Sequence, residues 1–349
     1  MAMKIGLSLN YSGGFKEAVD HVVELEKVGA DIVLVAEAYS YDAVSQLGYL
    51  AAKTNTIELG SGVFPIYTRT PSLLAMTAAG LDYVSDGRFQ LGIGTSGPQV
   101  VEGFHGLPFD APLGRTREVV EICRQVWRRE RVKYDGKHYQ VPLPAERGTG
   151  LGKPLQLINH PVREQIPVSI AALGPKNVEL TAEIANGWQP IFFYPEKAQA
   201  VWGEALVAGE AKRDPELGPL DIMVGTSLAI GDDVEERLEW LKPQLALYIG
   251  GMGAKGRNFY HNLATRYGFG DIADKIQELY LGGNKKDAIA AVPDELVRSI
   301  SLVGPPGFIA ERVAAFAEAG VTTLLATPLS SDRHESVCFI EQLRELLPS

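Results

Sequence analysis

A (β/α)8 barrel is the fold class the sequence predicts. Three observations predict it: eight short apolar, β-prone runs recur along the chain with helical segments between them, those segments carry apolar stripes, and capping residues fall at their ends. The strands are expected at about Lys4–Leu9, Asp31–Ala36, Ile57–Gly62, Phe89–Gly94, Pro167–Ala172, Trp188–Phe193, Ile222–Ile230 and Thr322–Ala326.

After the first strand, Phe15, Ala18, Val19 and Val22 recur at i, i+3, i+4 and i+7, which sets one apolar stripe against a sheet. After the third, Thr70 before Pro71 supplies an N-cap and a proline at the first helical position, so a helix begins there and runs through Leu73, Leu74 and Met76 toward Val84. Gly29 and Gly187 read as helix-ending residues. Two intervals break the rhythm and are expected as insertions of one domain over residues 1–349, at about 131–166 and 232–320. A helix of about Thr116–Arg129 precedes the first. "RVKYDGKHYQV" follows, whose Asp135-Gly136 pair reads as a tight hairpin, and then a Pro- and Gly-rich stretch from Pro142 to Pro167. The second is long and mostly helical and carries "YIGGMGAKGRN" and "LGGNKKDAIAAV". Long insertions at barrel loops commonly shape or cover an active site.

At 349 residues the chain has room for one large barrel or two domains. Hydrophobic residues at 46% and charged residues at 22% describe an ordinary globular composition. The formal net charge of −10 argues against a general nucleic-acid surface and leaves room for a local basic pocket and a small anionic ligand. The opening "MAMKIGLSLN" reaches a strand without a secretory core, and no apolar run is long enough to span a bilayer, so a cytoplasmic protein with no membrane partner is expected. Cys123, among Val119, Val120, Ile122 and Val126, reads as a buried core thiol, and with Cys338 far away no disulfide framework or zinc spacing arises. His21, His138, His160, His261 and His334 are scattered without ligand spacing, so no metal is expected.

Three stretches carry candidate chemistry. In "FQLGIGTSGPQ", Gly92-Ile93-Gly94-Thr95-Ser96-Gly97 fits G-x-G-x-x-G after an apolar run, the dinucleotide fingerprint. That motif belongs to a first βα turn and a helix opening at its third glycine. Here three strand-helix units come first and Gly97 leads into Pro98 and an expected loop, so a nicotinamide fold is set aside. The turn still ends a barrel strand, on the face where barrel active sites form. In "AALGPKNVELTAEIANGW", Gly174-Pro175-Lys176-Asn177 opens a helix whose unpaired N–H groups would face the mouth: a phosphate seat or a plain helix start. In "GSGVFPIYTRTP", glycines precede Val63 and Phe64, either a simple bulge or a surface on which a planar cofactor rests.

Together these stretches resemble the bacterial luciferase-like superfamily, and within it the actinobacterial-type oxidoreductases that use the deazaflavin coenzyme F420. The resemblance covers nearly the whole chain. It runs through "VAEAYSYDAV", "GSGVFPIYTRTP", "LGIGTSGPQVVEGFHGLPFDAPLGRTRE", "YDGKHYQVPLP", "GTGLGKPLQ", "AALGPKNVELTAEIANGW" and "LVGPPGFIAERVAAFAEAGVTTLLATP". It implies a ring bound in the barrel mouth against a non-proline cis peptide at Gly62-Val63. It also implies Thr95 and Ser96 beside the ring or ribityl chain, and Gly174, Pro175, Lys176 and Asn177 on the phosphate. A homodimer and a small-molecule substrate are implied as well. The implied reaction is hydride transfer between F420 and an activated alkene, imine, carbonyl or alcohol. FMN, in a reduced-FMN monooxygenase, is the alternative cofactor.

Two departures from the family matter. Where several relatives carry an Asp-His pair, this chain has Glu37, Ala38 and Tyr39; where sugar-phosphate oxidisers carry an acid, it has Gly97-Pro98-Gln99, which disfavours that substrate class. The proton donor or base is therefore sought among Glu37, Tyr39, Glu102 and His105. Glu37 could equally hold loop backbone, Tyr39 could wall the pocket, and His105 could bind backbone. Arg115 and Arg117, near a helix start that does not favour cations, point to an outside anion or a carboxylate partner, with plain surface solvation as the alternative. A phosphate-using lyase or isomerase, or a cofactor carrier without catalysis, would be the other classes.

Overall fold

In the computed structural model, which describes residues 3–9, 14–253 and 255–348, parallel strands close into a barrel. The strands in chain order are β1 (Lys4–Leu9), β2 (Ile32–Val35), β3 (Glu58–Ser61), β4 (Phe64–Pro65), β5 (Phe89–Gly94), β6 (Tyr134–Asp135), β7 (Gln140–Val141), β8 (Val168–Ala171), β9 (Gly187–Gln189), β10 (Asp221–Ile230), β11 (Leu302–Gly304) and β12 (Thr323–Pro328). The barrel runs β1-β2-β3-β5-β8-β9-β10-β12 and returns to β1, with Asp221 opposite Gly187 and Lys4 opposite Thr323 closing it. Of the residues at the chain opening, Met1, Ala2 and Asn10 lie outside the described residues, as does Ala254 of "YIGGMGAKGRN".

The helices used below are α1 (Phe15–Lys27), α2 (Ala43–Lys53), α3 (Pro71–Val84), α4 (Pro98–Gly103), α5 (Pro112–Trp127), α6 (Pro175–Ile184), α7 (Pro195–Glu210), α8 (Lys242–Gly251), α9 (Phe259–Ala264) and α10 (Gly270–Leu281). The expected signals work as physical devices. On α1 the stripe buries Val19, Val22 and Leu25, and Gly29 takes φ +91° just past its end. On α3, Thr70 Oγ1 accepts from the Leu73 amide at 3.2 Å, with Pro71 in the first turn. The main core lies between barrel and helices. A separate cluster of Ile32, Leu34, Met223 and Leu325 fills the barrel interior, and glycines make room for it: a Cβ on Gly6 would stand 2.6 Å from both Ile32 and Leu325.

Several expectations need correction. The sixth strand, expected to Phe193, stops at Gln189, because Pro190 has no N–H to donate and Phe192 adopts φ +54°. Gly187 does not end a helix; it opens β9, where a Cβ would stand 3.1 Å from Ser169 Cβ and 3.3 Å from the Asp221 carbonyl. The helix expected from Thr116 begins at Pro112, behind an Ala111 with φ +45° and no capping side chain to announce it. The expected loop after Gly97 contains α4. The hairpin does not turn on Asp135-Gly136 alone: Tyr134 pairs with Val141 and Asp135 with Gln140, so Gly136–Tyr139 form the loop. The Glu118 carboxylate holds it by accepting from the amides of Lys137, His138 and Tyr139 at 2.8–3.2 Å. The stretch read as mostly helical contains β11, which pairs with the upper end of β10. The partners sought for Arg115 and Arg117 are carboxylates of the chain itself, Asp110 and Glu183.

No helix among the described residues is long and apolar enough to cross a membrane.

Candidate functional site

The mouth at the C-terminal ends of the strands is built on a bulge. β3 pairs with β5 as Leu59–Phe89 and Gly60–Gln90, and pairing resumes through β4 as Phe64–Ile93, so the first chain carries one extra residue. Across the gap Ser61 Oγ replaces a backbone rung, accepting from the Gly92 amide at 2.9 Å and donating to the Gly92 carbonyl at 2.7 Å. The Gly62–Val63 peptide that follows is cis. The bulge leans over β5: a Cβ on Gly92 would stand 1.8 Å from the Ser61 carbonyl, and one on Gly94 2.6 Å from Val63 Cγ2. Those are the two glycines of the apparent dinucleotide fingerprint. They admit the chain's own bulge rather than a pyrophosphate. Thr95 and Ser96 continue from β5 along the rim, Ser96 exposed and at φ +56°.

A second element of the mouth is the N-terminus of α6. Gly174 is its N-cap with extended φ and ψ, and no side chain caps it. Its carbonyl accepts from the amides of Asn177 and Val178. Pro175 has no N–H, and Lys176 is exposed, with no ion-pair partner among the described residues. The Oδ1 of Asn177 is buried without a hydrogen-bond partner. An uncapped helix start with a cation beside it and an orphaned carboxamide oxygen fits an anionic, hydroxyl-bearing ligand.

The four acid–base candidates separate. Glu37, just past β2, is fully engaged: Arg69 donates to its two oxygens at 2.5 and 2.8 Å, and the Ala43 amide, at the start of α2, donates to Oε2 at 2.9 Å. The Arg69 guanidinium also lies 4.6 Å from the Phe64 ring centroid, on the β4 side of the bulge. Glu37 therefore ties two loops together, the structural alternative considered for it. Asp42 caps α2; the Ser45 amide donating to its carboxylate holds it below the usual range, with the Ser45 hydroxyl and Arg69 adding to the effect. Tyr39 and His105 come together through a residue not anticipated: the Tyr39 ring centroid is 6.1 Å from that of Phe104, and Phe104 meets the His105 ring edge-on at 5.1 Å. Glu102 is exposed on α4 and accepts from the Phe109 amide at 3.3 Å.

Residues between β10 and β11 pack against the segment that follows β9. Phe192, after β9, packs edge-on against Tyr248 of α8 and Tyr260 of α9 at centroid distances of 5.2 and 6.1 Å, and its carbonyl accepts from Tyr267 Oη at 2.8 Å. Burial raises the Tyr267 hydroxyl far above its ordinary pKa, so it remains a donor. Near the hairpin, burial pushes Tyr67 up to about 12, and its Oη donates to the Asp110 carbonyl.

Sequence reasoning missed Arg69, Ser61, Phe104 and Gln189. Arg69 and Ser61 stand inside the quoted "GSGVFPIYTRTP", where Arg69 is the single charged residue, and that was the available signal. Nothing in spacing could bring Gln189 to Ser61, because the contact crosses the barrel.

A family model described as luciferase-like monooxygenase matches residues 2–323. A Mycobacterium tuberculosis chain assigned as a coenzyme F420-dependent oxidoreductase is 41% identical over 336 residues, covering 95% of this chain and 96% of that one. A 5,10-methylenetetrahydromethanopterin reductase of Archaeoglobus fulgidus is 28% identical over 354 residues, covering 99% of each. The fold matches the structure of the coenzyme F420-dependent tetrahydromethanopterin reductase from Methanopyrus kandleri with a TM-score of 0.82 at 23% identity, covering 98% of each chain.

Proposed function

From the premise that the chain belongs to the luciferase-like monooxygenase family, among its F420-dependent oxidoreductases, we propose that it catalyses hydride transfer between coenzyme F420 and a small organic substrate: an activated alkene, imine, carbonyl or alcohol. The observation that carries this reading is the glycine-backed bulge at Ser61–Val63, at the same mouth as the uncapped start of α6 two strands further round the barrel. When bound, F420 supplies a carbon centre that exchanges hydride and reacts poorly with oxygen.

In this reading Gly62 and Val63 back the ring, and Thr95 and Ser96 flank it. The α6 start at Gly174, Pro175, Lys176 and Asn177 holds the phosphate, where the Lys176 amide and ammonium donate and Asn177 Oδ1 accepts from a hydroxyl. Phe192, with Tyr248 and Tyr260 behind it, keeps water from the same side. Glu37 is a positioning group, since both its oxygens already serve as acceptors. The proton exchanged with substrate then falls to the rim, where His105 offers an imidazole and Tyr39 stands on the same aromatic cluster; Glu102 is the third candidate.

The expectation of a cytoplasmic homodimer draws support from two unpaired cysteines and from exposed Leu73, Met76, Tyr83 and Val84 on one flank of α3. Sedimentation of the purified chain tests the dimer, and a monomer at micromolar concentration refutes it. The function is tested by titrating the apoprotein with oxidised F420 and, separately, with FMN, read by fluorescence or calorimetry. Tight F420 binding with weak FMN binding is expected. Preference for FMN moves the protein to the monooxygenase chemistry, and binding of neither overturns the redox reading.

A further inference from the structure

Beneath the bulge lies a polar side chain that none of the roles above uses. Gln189 points from β9 into the barrel, where Nε2 donates to Ser169 Oγ at 2.7 Å and to the Ser61 carbonyl at 3.3 Å. Ser61 is fully buried and Ser169 nearly so. The Ser61 carbonyl needs this donor. It points toward β5, but the Gly92 amide that faces it is given to Ser61 Oγ. The carbonyl therefore turns inward over Gly92 and would be left without a partner. Gln189 reaches it from β9, and Ser169 on the intervening β8 braces the carboxamide on the way. The same carboxamide lies under the next peptide: its Oε1 is 3.6 Å from where a Cβ on Gly62 would stand.

We propose that Gln189 is a positioning residue for the ring platform: by holding the Ser61 carbonyl, with Ser169 as its brace, it fixes the height and tilt of Gly62–Val63 in the mouth. The inference rests on the reading above that this peptide backs the deazaflavin ring. The inner face of the bulge has apolar Leu34 on one side and glycines on the other, so no other side-chain donor reaches the Ser61 carbonyl among the described residues. With the carboxamide gone, that carbonyl recovers a partner only by displacing Ser61 Oγ from the Gly92 amide, and the peptide after it moves too.

The test uses the full chain and three variants. Gln189→Met keeps the volume and removes the donor, Ser169→Ala removes only the brace, and Val168→Ala trims a fully buried side chain at the foot of the same strand, on its outer face, as a control for lost stability. Oxidised F420 binding, the absorbance maximum of the bound cofactor and the thermal midpoint are measured for each. Gln189→Met is expected to bind about tenfold more weakly with a shifted absorbance maximum, and Ser169→Ala to show about a threefold loss with a smaller shift in the same direction. Val168→Ala is expected to lower the midpoint while leaving both binding and spectrum unchanged. Wild-type affinity and spectrum in Gln189→Met and Ser169→Ala overturn the positioning role and leave the F420 reading standing. So does a binding loss in Val168→Ala that matches theirs at equal midpoint. Should Gln189→Met fail to fold, Ser169→Ala decides alone. If the wild-type chain itself binds no F420, the reading of the platform falls and the inference with it.

Discussion

Replacing Glu37 by Gln separates a structural carboxylate from a catalytic acid. The side chains of Glu37 and Arg69 are 10% and 12% exposed, and three N–H groups converge on the carboxylate. A glutamine can still accept from the Ala43 amide, but it leaves the Arg69 guanidinium without its ion-pair partner against the Phe64 ring, with only the more distant Asp42 carboxylate acting through space. Removing one partner of such a buried pair costs about 3–5 kcal/mol, most of it from the stranded charge. For 349 residues the unfolding entropy is about 0.7 kcal/mol per kelvin, so the thermal midpoint should fall by about 4–7 °C. Arg69→Met should cost a similar amount. The double variant should be less destabilised than the sum of the two, since both charges leave together. Differential scanning calorimetry on the four proteins gives the cycle. A Glu37→Gln midpoint within about 1 °C of wild type, or additive losses in the double variant, would refute the pairing argument and return Glu37 to the acid–base candidates.

Gly92→Ala, with its Cβ 1.8 Å from the Ser61 carbonyl, must displace the bulge; F420 binding should be lost in whatever protein folds, while Gly97→Ala, which meets nothing within 4 Å, should bind normally. Two Arg117 donors at 2.8 and 2.7 Å hold Glu183 below its ordinary value of 4.5. The stability this contributes is complete above that value and is lost as pH falls through the lowered one. The midpoint gap between wild type and Glu183→Gln should therefore be constant near neutrality and close below pH 4.5. Burial pushes the Cys123 thiol up to about 12, so a maleimide at pH 8 should label Cys338 alone in the native protein and both thiols after denaturation. Rapid labelling of Cys123 in the folded chain would contradict its packing.

Where the sequence spoke through local chemistry, it spoke accurately. Thr70-Pro71 marks the start of α3 because capping is settled within four residues, and the apolar runs at Lys4–Leu9 and Phe89–Gly94 are the strands because parallel barrel strands are buried on both faces. The misreadings share a cause. Ala111 and Phe192 adopt left-handed backbone that neither residue type favours, so the start of α5 and the end of β9 have no local signature and are set by packing around them. The site was legible as stretches: "GSGVFPIYTRTP", "LGIGTSGPQ" and "AALGPKN" do converge on one mouth. The pairings were not legible. Glu37 with Arg69 spans 32 positions and Gln189 with Ser61 spans 128, and no periodicity encodes a contact made only by closing a barrel.

The glycines of "GIGTSG" show how one residue pattern serves two physical ends. In a dinucleotide fold they let backbone approach a pyrophosphate. Here Gly92 and Gly94 let β5 approach the carbonyl of Ser61 and the side chain of Val63, on the same chain. Both uses require the absence of a Cβ beside a crowding oxygen or methyl, so the motif reports close approach and not the identity of what approaches. The neighbouring strand decides between them. A bulged β3 whose Ser61 hydroxyl bridges both polar groups of Gly92 leaves no amide at that position for a phosphate. In the proposed F420 reading the phosphate is then left to the uncapped start of α6, where the Lys176 amide and ammonium are the donors.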